Sequence, residues 1–140
     1  MRIDAVRGML GRRGGRMRDI LFRGKRIDNG EWVEGDFVHL PHGVVILANG
    51  YANIDPETVG QYTGLTDKNG VKIFEGDVLT LDGEDGFFVL EFQEDTARFV
   101  MSGDSMVVDF DNFWSYEVEV IGNIHDNPEL SKEGRAERDH

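Results

Sequence analysis

Two pairs of carboxylates are the side chains of this sequence most suited to chemistry. Glu34 and Asp36 are separated by one glycine, and so are Glu75 and Asp77. Hydrolases use paired carboxylates as acid and base, and in an extended chain both members of a pair would leave the same face, where they could also hold a hard cation. We interpret both pairs as structural, and a carboxylate- or metal-dependent hydrolase is the alternative.

The glycines inside these pairs support the structural interpretation. Gly35 and Gly76 stand in the same Glu-Gly-Asp order, and each follows an Asn-Gly pair by a few residues. We predict that each sequence enters a strand through a tight bend. In such a bend the glycine supplies an unusual backbone angle, and Asp36 or Asp77 accepts hydrogen bonds from nearby amides.

Other reactive side chains lack the partners that catalysis or metal binding would need. The sequence contains no cysteine, which excludes disulfides, thiolate metal sites and cysteine nucleophiles. His39 and His42 flank Pro41, which would break any helix that aligned them as ligands. No Gly-x-Ser-x-Gly, Walker or dinucleotide-binding motif is present. We therefore predict no catalytic residue, no cofactor and no metal, and a protein that is not an enzyme.

A dense aromatic segment lies near the end of the chain: Phe110, Phe113, Trp114 and Tyr116. Surfaces that stack nucleic-acid bases usually combine aromatic side chains with lysine or arginine, and neither occurs between residues 104 and 119. Core packing is the first interpretation of this segment, and a protein-binding interface is the second.

Short strands must position all of these residues. The pairs Asn29-Gly30 and Asn69-Gly70 predict type I′ turns, in which both central residues take positive φ. Many short strands joined by glycine-rich turns predict a mostly β barrel or sandwich. Segments rich in Val, Ile, Phe and Tyr are the predicted strands: residues 20–26, 32–40, 44–48, 59–65, 78–81, 87–92, 98–101, 106–110 and 117–122.

Composition divides the chain into three regions. Residues 1–18 are predicted to be a flexible Arg/Gly-rich extension, residues 19–125 the β domain, and residues 126–140 a charged C-terminal tail. Within the domain, one or two short helical turns are expected, at residues 55–58 and 111–116. We expect residues 1–16 to be dispensable for folding.

Several motifs together resemble the YopX family of phage and prophage proteins. They are ILFRGKR at residues 20–26, VGQYTGLTDKNG at 59–70, IFEGDV at 73–78 and EVIGNIHDNPEL at 119–130. The resemblance covers residues 18–130. It implies a small SH3-like barrel with additional β-strands and a setting in phages or prophages of Gram-positive bacteria. It implies no activity and no functional residues.

Charge and hydropathy restrict the partners. The formal net charge is −12, and because residues 1–18 hold six arginines and one aspartate, residues 19–140 carry −17. An acidic body repels phosphate backbones, so nucleic acid is an unfavourable partner, although modulation of nucleic acid through the basic N-terminal arm is an alternative. No apolar run approaches the roughly 20 residues that a membrane span needs.

These observations predict a cytoplasmic phage or prophage accessory protein that acts through protein–protein contacts. Its partner would be a phage or host protein. A small β domain exposes strand edges, which favour pairing with other chains, so we also expect a homo-oligomer.

Overall fold

The computed structural model describes residues 19–130, with the exception of the side chain of Phe113. Helical structure in this range is limited to α1 (Asn112–Ser115) and two single 3-10 turns, Pro56–Thr58 and Pro128–Leu130. The strands are β1 (Phe22–Lys25), β2 (Trp32–Leu40), β3 (Gly43–Leu47), β4 (Tyr51–Ile54), β5 (Gly60–Thr66), β6 (Lys72–Phe74), β7 (Asp77–Leu81), β8 (Phe88–Gln93), β9 (Arg98–Ser102), β10 (Val107–Asp109) and β11 (Val118–Asn123).

The described strands form two antiparallel sheets. The first has the order β4-β3-β2-β1-β5-β6, and the second has the order β10-β9-β8-β7-β11. The predicted mostly β class is therefore confirmed. The strand pairings close neither sheet into a barrel, so the SH3-like barrel is not confirmed. Two strands, β4 and β6, were not predicted; both are short edge strands, for which the apolar pattern is weak.

Both predicted helical turns are present. Asp55 caps the first turn by accepting the N–H of Glu57 at 3.1 Å, and Pro56 occupies its first position, where a missing N–H costs no helical hydrogen bond. The second is α1, which connects β10 to β11.

Each sheet has its own apolar cluster. Ile73 lies on β6 of the first sheet but packs into the cluster of the second, so β6 joins the two cores. The first cluster consists of Val44, Ile46, Ala52 and Ile54. The second consists of Ile73, Leu79, Leu81, Phe88, Leu90, Met101, Phe110 and Val118.

The two Asn-Gly turns form where they were predicted, but not as type I′ turns. Gly30 and Gly70 take φ of +74° and +83°, whereas neither Asn29 nor Asn69 has a positive φ. The N–H of Gly30 donates to the carbonyl of Arg26, four residues back, at 3.0 Å. The turn is therefore wider than a two-residue hairpin, and only its glycine needs the left-handed conformation.

The two Glu-Gly-Asp sequences adopt different structures. Gly76 takes φ +93° and forms the corner between β6 and β7, where Asp77 Oδ2 accepts the N–H of Phe74 at 2.7 Å, as predicted. Gly35 and Asp36 lie inside the nine-residue strand β2 instead, which corrects the predicted turn. Strand β2 is paired with β1 on one side and β3 on the other, and these ladders hold it extended through the glycine.

The carboxylate of Asp67 accepts hydrogen bonds from both the turn after β5 and strand β11. One carboxylate oxygen accepts the N–H groups of Asn69 and Val71 at 2.8 and 2.9 Å, and the other accepts the N–H of Val120 at 2.9 Å. Burial acts to raise the pKa of Asp67, but the three amide hydrogen bonds outweigh it and lower the pKa overall. This carboxylate connects the first sheet to the last strand of the second.

Candidate functional site

A cleft of about 340 Å³ opens between the two sheets. Four segments line it: the 3-10 turn after β4, the corner between β6 and β7, strand β8, and the segment that follows β11. The cleft thus lies where both sheets contribute, which is a common position for a binding site.

The cleft is negatively charged. Its lining contains three glutamates, Glu57, Glu75 and Glu91, and no lysine or arginine of the described chain. None of the three forms an ion pair with a cation in residues 19–130. A half-apolar wall without a counter-charge makes this a favourable place for a positively charged group.

The apolar part of the wall comes from both sheets. It consists of Val59 beside the 3-10 turn, Val89, Leu90 and Phe92 on β8, and Ile124 after β11. Phe92 is 40% exposed and packs edge-to-face against Phe99, with ring centroids 5.3 Å apart. An exposed aromatic side chain beside carboxylates suits the stem and head of a long cationic side chain.

Backbone hydrogen bonds fix the corner that carries Glu75. The N–H of Gly76 donates to the carbonyl of Leu90 at 2.7 Å, and the N–H of Ile124 donates to the carbonyl of Gly76 at 2.9 Å. The N–H of Glu75 donates to the carbonyl of Gln61 at 2.9 Å. Three strands or strand ends therefore hold this corner in place.

The Glu75 carboxyl group is partly withdrawn from water. Burial raises its pKa; the N–H of Gln61, which donates to Oε1 at 3.4 Å, opposes the rise, and the negative charge of Glu94 adds to it. A positive charge bound in the cleft would lower the pKa of Glu75 again, because it favours the ionised form of the carboxyl group.

His125 forms the opposite side of the corner. If residue 76 carried a Cβ, that atom would lie 3.6 Å from Nε2 of His125. The ring centroid of His125 is 5.9 Å from that of Trp32. Burial and the positive charges of Arg23 and Lys25 lower the pKa of His125, against smaller opposing effects from nearby carboxylates. The imidazole is therefore neutral at pH 7, so it does not offset the negative charge of the cleft.

A buried ion pair lies behind the corner. Arg23 Nη2 is 2.7 Å from Asp77 Oδ1, and the two side chains are 13% and 2% exposed. The guanidinium lies between the rings of Trp32 and Phe74, with Cζ 4.7 Å from each centroid. Burial raises the pKa of Asp77, although the charge of Arg23 and the N–H of Phe74 act to lower it. Each charged group is the partner of the other, so the pair connects β1 of the first sheet to β7 of the second.

Asp126 ties the segment after β11 to the first sheet. It forms an ion pair with Lys25, accepts the indole N–H of Trp32 at 2.8 Å and accepts an amide N–H of Asn123 at 3.1 Å. The hydrogen bonds from Lys25 and Trp32 lower the pKa of Asp126 to about 2. These contacts hold one side of the cleft in position.

The carboxylate pair on β2 does not reach the cleft. Glu34 and Asp36 are both exposed, and neither lines the cleft. Glu34 Oε1 lies 3.3 Å from Lys72 Nζ in a surface ion pair. The two side chains share a face of the strand, as the spacing predicts, but that face is open to solvent.

The second carboxylate pair is divided by its glycine. Glu75 lines the cleft, whereas Asp77 is buried and bonded to Arg23. Because Gly76 takes φ +93°, the chain is not extended across the pair, and the expectation of a shared face is wrong here. Within residues 19–130, no group of three or more His, Asp or Glu side chains is arranged to hold a metal ion.

The aromatic segment is divided between core and surface. Phe110 is 8% exposed and belongs to the second cluster, against which Trp114 packs. Tyr116 is 75% exposed. The prediction for the side chain of Phe113 lies outside what the structure describes, as do the predictions for residues 1–18 and 131–140.

The family of the chain follows from comparison with known proteins. A family model described as YopX protein matches residues 21–132, which include both sheets and every segment of the cleft. The chain belongs to the YopX family. This confirms the resemblance carried by the motifs at residues 59–70, 73–78 and 119–130. No curated protein matches the chain.

One solved structure similar to this YopX-family chain is the crystal structure of protein EF1440 from Enterococcus faecalis. It is 26% identical, its TM-score is 0.55, and the similarity covers 81% of this chain and 99% of that one.

No helix among the described residues is long and apolar enough to cross a membrane.

Sequence reasoning missed three residues of the cleft: Glu57, Glu91 and His125. His125 lies in the motif at residues 119–130, but nothing in that motif indicates which side chain faces a cavity. Glu91 on β8 and His125 after β11 meet because β7 pairs with both strands, whereas Glu57 comes from the 3-10 turn after β4 of the first sheet. The acidic character of the chain was the one signal pointing towards them.

Proposed function

We propose that this YopX-family chain is a phage or prophage accessory protein of the host cytoplasm that acts by binding another protein. Its binding surface would be the cleft between the two sheets, and the ligand a chain segment that alternates cationic with apolar side chains. The observation that supports this proposal is the lining itself, in which Glu57, Glu75 and Glu91 lie among apolar side chains without a lysine or arginine.

The contacts around the cleft favour binding over hydrolysis. Asp77 is bonded to Arg23, and Glu34 and Asp36 lie on an open face outside the cleft, so neither predicted pair places two carboxylates in the cleft. Glu75 alone of these four carboxylates faces the cleft. A positive charge placed beside Glu75 would favour its ionised form and so oppose the effect of burial on its pKa.

We propose that the second sheet is the SH3-like element that the family resemblance implies. Strands β7 to β10 follow one another as a meander, α1 comes next, and β11 returns to pair with β7. This order is that of a small barrel whose last strand returns beside its first, and it leaves the first sheet as the additional β structure.

Binding of short synthetic peptides tests the proposal. The probe is a fluorescein-labelled peptide that alternates arginine with valine, and the comparison peptide replaces each arginine by glutamate. Fluorescence anisotropy should show binding of the first peptide and not of the second, because the cleft is acidic. Glu75→Gln combined with Glu91→Gln should weaken binding by about tenfold or more, since charged hydrogen bonds contribute about 1.5–3 kcal/mol each.

A matched control separates the cleft from general surface charge. Glu84 and Asp85 line a different cavity, of about 210 Å³, and both are exposed. Glu84→Gln combined with Asp85→Asn removes the same charge as the cleft variant and should leave binding unchanged. Equal loss in the two variants, or equal binding of the two peptides, would overturn the proposal.

A further inference from the structure

Strand β8 continues past the point where its neighbour β7 ends. The last backbone contact on that side is the N–H of Gly76, which donates to the carbonyl of Leu90 at 2.7 Å. The chain before Gly76 turns away, because the N–H of Glu75 donates to the carbonyl of Gln61 on β5 at 2.9 Å. The part of β8 after Leu90 is therefore paired with β9 on one side and with no described strand on the other.

The hydrogen bond at Leu90 fixes the direction of the backbone groups of Phe92. In an antiparallel sheet the N–H and C=O of one residue point to the same side of the strand, and successive residues alternate between the two sides. The carbonyl of Leu90 points to the β7 side, because it accepts the N–H of Gly76. The N–H and C=O of Phe92, two residues later, therefore point to the β7 side as well.

The pairing with β9 gives the same direction independently. Phe92 lies opposite Phe99, and the carbonyl of Phe99 accepts the N–H of Phe110 on the far side of β9, at 3.0 Å. Phe92 and Phe99 are thus a non-hydrogen-bonded pair, in which side chains lie closest, and their ring centroids are 5.3 Å apart. Within residues 19–130, neither backbone group of Phe92 has a hydrogen-bond partner.

These two backbone groups open into the cleft. Phe92 and Glu91 line it from β8, and Glu75 lines it at the point where the chain leaves the position beside β8. The side chain of Phe92 is 40% exposed, so a ligand can reach this part of the strand. A further strand would lie about 4.8 Å from β8, in the place that β7 leaves vacant.

We propose that the cationic protein segment bound by the cleft lies beside β8 as an added strand and forms main-chain hydrogen bonds with the N–H and C=O of Phe92. The inference rests on the proposed function, since it takes the ligand to be a cationic segment of another protein. The charge of the lining selects that ligand, because the cleft has three glutamates and no lysine or arginine of the described chain.

Strand pairing also determines which ligand side chain meets each residue of β8. The ligand residue opposite Phe92 places its side chain beside the Phe92 ring, and an adjacent ligand residue lies opposite Glu91 on the other face. An apolar residue flanked by arginine or lysine fits these two positions. The main-chain hydrogen bonds then provide affinity, and the alternation of side chains provides specificity.

Amide hydrogen exchange of the full-length protein, followed by NMR, locates the added strand. The probe is a peptide in which a single valine lies between two arginines. In the free protein the amide of Phe92 should exchange rapidly, whereas the amide of Glu91, which faces Val100 on β9, should be protected. Saturating peptide should slow exchange at Phe92 by about tenfold or more and leave exchange at Glu91 unchanged.

Two methylated forms of the fluorescein-labelled peptide separate main-chain pairing from attraction between charges. Methylation of the valine nitrogen removes the N–H that would bond to the carbonyl of Phe92, and anisotropy should show binding weakened by about tenfold or more. Methylation of the nitrogen of the following arginine changes an N–H that points away from β8, so binding should stay within about twofold. Both peptides keep the charge and the side chains of the original.

The outcomes distinguish the inference from the function on which it rests. Binding without slower exchange at Phe92, or equal binding of the two methylated peptides, would overturn the inference and leave the proposed function in place. Binding of none of the peptides would overturn both. Protection of the Phe92 amide in the free protein would also overturn the inference, and protection that increases with protein concentration would assign the position to a second copy.

Discussion

Arg23 is the side chain on which the junction between the sheets most directly depends. It provides the counter-charge for Asp77, which is 2% exposed, and it fills the space between Trp32 and Phe74. Its Nε has no acceptor among the described residues, so the pair is held by one ionic contact and two aromatic faces. A buried pair of this kind contributes little net stability while intact, but removal of one partner is costly.

We predict that Arg23→Met destabilises the protein by about 3–5 kcal/mol at pH 7, because Asp77 is left as an unpaired buried charge. Removing the guanidinium raises the already raised pKa of Asp77 further. A group whose folded pKa lies above its unfolded pKa loses stability as pH rises, so the difference from wild type should shrink below about pH 4, where Asp77 is protonated in both states. Urea unfolding at several pH values measures this.

The exposed pair Arg98–Asp109 supplies the control for that experiment. Its side chains are 49% and 60% exposed, and Arg98→Met should cost about 1 kcal/mol or less. A penalty for Arg23→Met that does not change with pH would mean that lost packing, and not the charge of Asp77, is responsible.

Among the strands and turns, the sequence predicted best those elements whose conformation depends only on neighbouring residues. The helical turn at residues 55–58 follows from an Asp cap and a proline, both of which act within one turn. The Glu-Gly-Asp sequences were ambiguous because the same three residues fit a bend and a strand. Strand neighbours decide between the two: β2 is paired on both sides, whereas β6 ends at Phe74 and the chain turns.

The cleft could not be predicted for a related reason. Its walls come from the 3-10 turn, the β6–β7 corner, β8 and the segment after β11, and strand order is what brings them together. Alternation along β8 predicts which side chains share a face, but not which other segment that face will meet. Tertiary pairing, which no single segment encodes, creates the site.

Gly35 and Gly76 are predicted to resist substitution for different reasons. At Gly35 a Cβ would lie 2.1 Å from the carbonyl oxygen of Leu47, so Gly35→Ala should cost about 2–3 kcal/mol through a steric clash. At Gly76 the nearest atom would be 3.6 Å away, and φ +93° is the obstacle. Gly76→Val should cost about 1–3 kcal/mol through backbone strain.

The choice of substituent separates the two mechanisms in denaturant titrations. Asparagine tolerates positive φ better than valine, so Gly76→Asn should cost less than Gly76→Val. At position 35 asparagine should be no better than valine. Gly30→Ala is the control, since φ is +74° but no atom lies within 4 Å, and it should cost about 1 kcal/mol. If asparagine lowered the free energy of unfolding less than valine at both position 35 and position 76, this account would be contradicted.

For the whole molecule, the distribution of charge decides how copies approach one another. Residues 19–140 carry −17, which opposes close contact between two bodies. At physiological salt the Debye length is about 8 Å, so most of this repulsion is screened. The surface also carries apolar groups at a sheet edge: Leu47 and Tyr51 face each other across β3 and β4, and are 39% and 74% exposed.

We predict that the protein self-associates through the β4 edge and that association strengthens as salt rises, the opposite of an interface held by ion pairs. The end of β4 is already bonded to residues 25–27, so the interface centres on the start of the strand at Tyr51. There the apolar pair adds burial at roughly 25 cal/mol per Å². Sedimentation at low and moderate salt measures the association, and Tyr51→Ser should weaken it. Tyr116→Ser is the matched control, because Tyr116 is as exposed but lies in the turn before β11. Loss of association in Tyr116→Ser alone would move the interface to the aromatic segment. A monomer at high micromolar concentration in both buffers would refute self-association, because screening would then have removed the repulsion without revealing any attraction.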